Sequence, residues 1–248
     1  MVFMSLASCY ACNEPATSRE HVPPRSFFPE GRRSNLITVP SCKTHNHGNA
    51  TDVEYIRNSI AFLAGINDAG TAMMQAAMRS LNHSPALFNR TFRSMRPLLR
   101  NGEWVGAFKV DLTRLKAVMI STTQALHYRD HGQKWQWWRF FSPTLGLEKT
   151  VYQQQPDNWE PLRQLLSNDP CEPRETGEPK IFSYASHQFE APSDWAWMYR
   201  LTFYEGFVAY TWMLAEEQAL IERRWSRTRK PHPHGIRTSL ARLVRRSQ

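Results

Sequence analysis

The chain reads as an α+β protein in which a small metal-stapled head precedes a larger mixed body. Three observations predict this. Residues 1–50 are polar, crowded with Pro, Cys and His, and short of periodic apolar positions, so they need a staple to hold a fold. From residue 51 onward, apolar residues recur at helical spacing in some stretches and alternate in others. Two knuckle-like pairs, Cys9/Cys12 and Cys42/His45, bracket the polar head. The expected organisation is a head over residues 1–64, a body over 65–222 and a basic tail over 223–248.

Each element follows from local pattern. Thr51 and Glu54 form a capping-box pattern, and Val53, Ile56, Ile60 and Leu63 continue at helical spacing, which predicts a helix starting near Thr51. Residues 65–100 predict one or two further helices with breaks at Pro85 and Pro97. Trp104, Gly106, Phe108 and Val110 alternate as in a strand, and Leu112, Leu115, Met119, Thr122 and Leu126 mark a helix. Short strands are expected over 135–141 and 149–154, an exposed Pro- and Glu-rich loop over 168–179, and strands over 181–189 and 195–203. A last long helix is expected from about Tyr204 into the tail, which Pro231 and Pro233 interrupt. The tryptophans at 135, 137, 138, 195 and 197 read as core strands before they read as base-stacking platforms. His127 and His131, four apart on one helical face, read as a structural pair before a metal site.

Charge is distributed unevenly. The net charge is +9, yet nine Lys/Arg lie beyond residue 221 against the single acid Glu222, so the preceding residues are nearly neutral. A basic tail of this kind finds polyanions by charge, and phosphate contacts supply affinity with little sequence choice. The sequence holds no apolar run long enough for a membrane span, and its N-terminus lacks the basic start of a signal peptide, so no membrane association and a cytoplasmic location are expected. Clustered cysteines in such a setting point to metal before disulfides.

Cys9-Tyr10-Ala11-Cys12 and Cys42-Lys43-Thr44-His45 have the spacing of two turns that converge on one tetrahedral Zn²⁺, with the segment between them looped out. His47 is an alternative fourth ligand that the two-residue spacing disfavours. Four protein ligands leave such an ion no open position, so its expected role is structural.

The looped-out segment carries Glu20-His21-Val22-Pro23-Pro24, then Ser34-Asn35-Leu36, and then Asn46 directly after the second knuckle. With these residues in these places, residues 9–58 resemble the HNH, or ββα-metal, nuclease family, in a His–Asn–Asn variant. The resemblance implies a zinc-stapled ββα-metal head and hydrolysis of phosphodiester bonds leaving 5′-phosphate ends. It implies His21 as the general base and Asn35 as the residue that holds the loop and orients the His21 ring. Glu20 and Asn46 would be ligands of a catalytic divalent cation. The chemistry is consistent with those roles: a neutral imidazole takes a water proton near neutral pH, and oxygen donors suit Mg²⁺ or Mn²⁺. This chain departs from most relatives in having Glu20 where Asp is usual and Asn46 where His is usual. On a strand Glu20 and His21 point to opposite faces, so adjacency alone gives them no shared task.

The expected partner is DNA, with RNA not excluded, and a homodimer or protein partner is compatible with the sequence; double-strand cleavage by one small site favours a dimer or two nicks. Arg19, Arg25, Arg32 and Arg33 surround the candidate site, and Arg237, Arg242, Arg245 and Arg246 supply the tail. Two other readings are compatible with these residues: a non-catalytic zinc-dependent nucleic-acid-binding module, and a regulatory subunit whose body binds a partner. Loss of function in His21→Ala separates the nuclease from both.

Overall fold

Antiparallel pairing begins in the head, where β1 (Ser18–His21) meets β2 (Thr38–Ser41) in the register Ser18↔Ser41, Arg19↔Pro40, Glu20↔Val39 and His21↔Thr38. This computed structural model describes residues 7–64, 67–100, 102–141, 168, 171–174, 176–190 and 195–216. The chain is α+β, as its patterning predicts, and forms two compact units. The first comprises Met1–Gln136, Glu175–Ser183 and Leu201–Phe207; the second comprises Trp137–Arg174, Tyr184–Arg200 and Val208–Gln248.

In the first unit the hairpin leads into a short helix α1 (Lys43–His47) and then α2 (Ala50–Ala64). The Asn49 carbonyl accepts the Val53 amide, so the helix starts a residue earlier than the capping-box pattern suggests. Thr51 therefore lies inside the first turn and is not the cap. Helix α3 (Asp68–His83) is capped by Asn67, whose side-chain oxygen accepts from Gly70 N at 2.8 Å. Ser84 caps α4 (Pro85–Phe92), where Pro85 takes the first helical position because its missing amide is one the helix leaves unpaired there. Pro97 falls in a second hairpin, β3 (Arg96–Arg100) against β4 (Glu103–Ala107), instead of merely breaking a helix. Helix α5 (Leu112–His131) runs from the Asp111 cap to Gly132, whose φ of 67° closes it in the left-handed conformation.

Helices α2, α3, α4 and α5 pack on one another. Leu81, Leu87 and Phe92 form a buried cluster with Phe62 and Phe108 against it. Ile56, Ile60, Leu115 and Met119 are fully buried, as are the head's own Tyr10, Phe27 and Val39. Burying each such side chain contributes about 1.5–3 kcal/mol. His127 is fully buried with its ring 4.8 Å from that of His131, and burial, with the neighbouring ring second, lowers its pKa to about 4. A buried His127 packed on the His131 ring matches the structural reading of these histidines.

A five-stranded antiparallel sheet, ordered β5-β9-β8-β7-β6, carries the later strands. These are β5 (Trp138–Phe141), β6 (Glu172–Arg174), β7 (Phe182–Gln188), β8 (Trp195–Phe203) and β9 (Phe207–Leu214). The core of the second unit groups Cys171, Ala185, Met198, Tyr210 and Trp212, with Trp195 packed against them. Two expectations fail here. The stretch 168–179, read as a loop, contributes the edge strand β6. The helix expected from Tyr204 is β9 instead, because Tyr204 (φ 51°) and Glu205 (φ 58°) form a left-handed two-residue turn closed by Gly206 N to Phe203 O at 3.0 Å. That turn reverses the chain into a strand, where a helix start would need right-handed backbone. The strand expected over 149–154 and the basic tail lie outside the described residues.

Candidate metal centre and hairpin site

The two knuckles converge. Among the described residues Cys9, Cys12, Cys42 and His45 form one group whose ligand atoms all lie within 4.8 Å of one another, and they can hold a metal ion. Cys12 Sγ lies 3.8 Å from Cys42 Sγ. His45 Nδ1 lies 3.6 Å from Cys9 Sγ, 3.6 Å from Cys12 Sγ and 3.2 Å from Cys42 Sγ. Zinc bonds of about 2.3 Å to sulfur and about 2.0 Å to nitrogen give tetrahedral edges of about 3.5–3.8 Å, so the donor set is compatible with structural zinc. Burial opposes ionisation of Cys9. The amides of Ala11, Cys42 and Cys12 directed at its sulfur outweigh that, so the thiol is held below its ordinary range. Cys171, the remaining cysteine, is buried in the core of the second unit, and burial pushes its thiol up to about 11. Lys134 closes the first knuckle from outside by donating to Ser8 Oγ at 2.8 Å and to the Cys12 carbonyl at 2.7 Å.

The hairpin register sorts the other candidates onto two faces. Ser18 and Glu20 share one face with their partners Ser41 and Val39. Asn46 on α1 reaches this face, its Nδ2 donating to Ser18 Oγ at 2.7 Å, and the Ser18 hydroxyl lies 3.3 Å from the Ser41 carbonyl. The Glu20 carboxylate accepts from Ser41 Oγ at 3.4 Å and from the Tyr10 hydroxyl. Burial raises the pKa of Glu20 to about 7 even though both hydroxyls favour the anion. Tyr10 sits between the candidate metal ligands Cys9 and Cys12, 2% exposed, with its ring 6.0 Å from that of His45, so the carboxylate is linked to the knuckle through one side chain.

The opposite face carries Arg19, His21 and Thr38. Arg19 is fixed over the hairpin by Nε to Thr38 Oγ1 at 2.8 Å and by a second bond to the Thr38 carbonyl at 3.1 Å. Half-burial, with the charge of Arg25 second, lowers the pKa of His21. Both influences favour the neutral imidazole, which lies beside two exposed guanidinium groups.

The β1–β2 loop holds the remaining candidates. Arg25 lies in a 3-10 turn (Arg25–Phe27), and Arg33 donates to the Phe28 carbonyl at 3.0 Å. Arg32 is exposed beside Gly31. Asn35 is exposed with φ 54°, a conformation that Asn tolerates better than most residues. No hydrogen bond joins its side chain to His21. Glu20 and Asn46 are thus brought to one face and His21 with Arg19 and Arg25 to the other, while Asn35 stands apart as a turn residue. Arg237, Arg242, Arg245 and Arg246 lie outside the described residues.

Residues from far along the chain hold this loop within the first unit. Tyr204 donates its hydroxyl to the Phe27 carbonyl at 2.6 Å, Phe203 packs 5.2 Å from the Phe27 ring, and Gly177 lies against the backbone of Asn35. Sequence reasoning misses Tyr10, Ser18, Ser41, Lys134 and Tyr204. Strand alternation and the hairpin register point to the two serines, whereas no local signal marks Lys134 or Tyr204. Separately, a cavity of about 760 Å³ between α2, α3 and α4 is lined by Arg79, His83 and Arg90, with Arg90 paired to Glu54 at 3.0 Å.

No protein family, curated protein or solved structure matches this chain. Among the described residues no helix is long and apolar enough to cross a membrane.

Proposed function

We propose that this protein is a metal-dependent endonuclease of the HNH type that hydrolyses phosphodiester bonds in DNA. The observation that carries the reading is the partly buried His21, its pKa lowered by burial, beside Arg19 and Arg25 on a hairpin tied to a group of four potential metal ligands. A phosphodiester is an anion that must be drawn in and attacked by water. Two guanidinium groups suit the first task, and an imidazole free to accept a proton suits the second. His21 takes the proton of the attacking water and Arg25 and Arg19 hold the phosphate. Asn46, with its amide nitrogen engaged by Ser18, keeps its carbonyl oxygen for a cation. Glu20 and Asn46 lie on the other face of the hairpin, and their oxygen donors fit a hard divalent ion such as Mg²⁺ or Mn²⁺, which would supply charge neutralisation at the leaving 3′-oxygen from across the strand, as the sequence resemblance implies.

A second reading has its own support. Glu20 is already satisfied by Tyr10 and Ser41, as expected of a non-catalytic zinc-dependent nucleic-acid-binding module in which the carboxyl only braces the knuckle. Supercoiled plasmid incubated with the purified chain and Mg²⁺ or Mn²⁺ separates the two. Nicking that is lost in EDTA and in His21→Ala supports the nuclease. Binding without nicking, equal in wild type and His21→Ala, supports the module.

A further inference from the structure

The β3–β4 hairpin is anchored at one end and bare at the other. At its base Ser94 Oγ accepts from Lys109 N at 2.7 Å, and the rings of Phe92 and Phe108 meet edge-on at 5.3 Å in the helical core. Beyond the base, the register places Leu99 opposite Trp104 and Pro97 opposite Gly106, so these four share a face. The Met95 thioether covers Gly106, its Cε 3.3 Å from where a Cβ would stand. Trp104 is 73% exposed, Leu99 56% and Met95 46%. A two-stranded ribbon is marginal in water by itself, and an indole this exposed leaves a large apolar surface wet.

The charge of this segment of sequence is one-sided, and the register turns Arg96 to the reverse face of the ribbon. From Arg93 to Lys109 the chain carries Arg93, Arg96, Arg100 and Lys109 against Glu103 alone. Arg93 and Arg96 are exposed, and neither pairs with a carboxylate among the described residues. A flat aromatic face on a narrow ribbon whose reverse face and foot carry guanidinium groups can take a nucleobase on the ring while the strand's backbone passes the ribbon edge to the cations. A second copy of the same hairpin would bring like charges together, and one indole with two aliphatic neighbours lacks the continuous apolar stripe of a bilayer-seeking helix.

We infer that the β3–β4 hairpin is a nucleic-acid-contacting arm, with Trp104 stacking on an unpaired base and Arg93 and Arg96 holding the adjoining backbone. This rests on the reading of nucleic acid as substrate, and it adds a contact surface remote in sequence from the hairpin of His21. Single-strand character is implied, since a base inside a duplex offers no free face.

The test uses full-length His21→Ala protein, to prevent turnover, and fluorescein-labelled single-stranded and duplex oligonucleotides of one sequence, read by anisotropy across a salt series. Adding Trp104→Ala is expected to weaken single-strand binding about tenfold or more, Trp104→Phe to recover most of it, and the duplex to respond less. Adding Arg96→Ala is expected to lower the slope of log affinity against log salt by about one. Single-strand affinity unchanged in Trp104→Ala, with an unchanged melting temperature, overturns the proposal. So does a dimer by sedimentation, or adsorption to anionic phosphatidylserine vesicles, that needs Trp104 while oligonucleotide binding does not. Plasmid cleavage by the wild type reports on the nuclease reading separately: Trp104-dependent binding without cleavage keeps the arm and removes the hydrolase, and cleavage with Trp104-independent binding does the reverse.

Discussion

Asn46 Nδ2 donates to Ser18 Oγ at 2.7 Å and so pins the helix after the second knuckle to the first strand of the hairpin. The bond does more than join two elements: it decides which end of the amide faces outward. With nitrogen turned to Ser18, the oxygen is the free end, and oxygen is what a hard cation selects. Ser18→Ala removes the acceptor without touching the amide. Cleavage in limiting Mg²⁺ is expected to fall about tenfold to a hundredfold, recovering in part at high Mg²⁺, while stability falls by about 1 kcal/mol. Cleavage independent of the Ser18 hydroxyl at every Mg²⁺ concentration would remove Asn46 from the cation site.

Glu20 gives a prediction whose sign distinguishes a ligand from a brace. Its pKa is raised from 4.5 to about 7 by burial, so between those values the folded chain holds a proton that the unfolded chain has released. Stability from this group is therefore complete below pH 4.5 and lost as pH rises through 7. By linkage the loss approaches about 3 kcal/mol above that range when no divalent cation is bound at Glu20. Glu20→Gln keeps an acceptor for Tyr10 and Ser41 but never ionises. With no Mg²⁺ or Mn²⁺ added it is expected to melt higher than wild type at pH 8 and to match it at pH 5, and with Mg²⁺ added to lose cleavage at both. Adding Mn²⁺ at pH 8 should raise the wild-type melting temperature and leave Glu20→Gln unmoved. Equal response of the two proteins to Mn²⁺ would mean that Glu20 is not a ligand.

The zinc set was legible because a knuckle is a local object: two-residue spacing fixes two ligands on one turn, and only the meeting of two turns needs the fold. Strand β8 was legible to the residue because Trp195–Phe203 alternates over its length. By contrast, β9 was hidden by the turn before it. Tyr204 and Glu205 occupy left-handed backbone that Asn or Gly would advertise, and the conformation is held by tertiary bonds, Tyr204 to Phe27 and Glu205 to Asn67. The pairing of Asn46 with Ser18 was out of reach for the same reason. It depends on a register set by residues 18 to 41, which no single stretch of sequence states.

Metal removal should act on the head specifically. Cys9, Cys12, Cys42 and His45 are expected to hold one zinc per chain, and the polar residues between the knuckles depend on it for their fold. Cys42→Ser and His45→Ala should lose the ion by elemental analysis and expose the head to limited proteolysis. Cys171→Ser should keep it, since that thiol is buried in the sheet core. Retention of one zinc by Cys42→Ser would place the ion elsewhere.

Asn35 offers the clearest separation of backbone from side chain. Its φ of 54° gives Asn an advantage over most residues, while its side chain makes no bond to His21. Gly177 lies so close that a Cβ there would overlap the Asn35 carbonyl oxygen and come within 2.9 Å of its carbon. If Asn35 serves the loop by its conformation, Asn35→Gly is expected to keep both stability and cleavage, and Asn35→Ala to be less stable by about 1 kcal/mol. Gly177→Ala attacks the same turn from the other side. It must displace backbone, which is expected to destabilise by about 1–3 kcal/mol and lower the melting temperature by several degrees. Because the turn lies in the loop that carries Arg25, cleavage by Gly177→Ala should fall with its affinity for substrate, whereas Asn35→Gly should leave both unchanged. Equal loss of cleavage in Asn35→Gly and Asn35→Ala, with melting temperatures unchanged, would instead assign the role to the Asn35 amide, as the His21-orienting partner that the sequence resemblance implies.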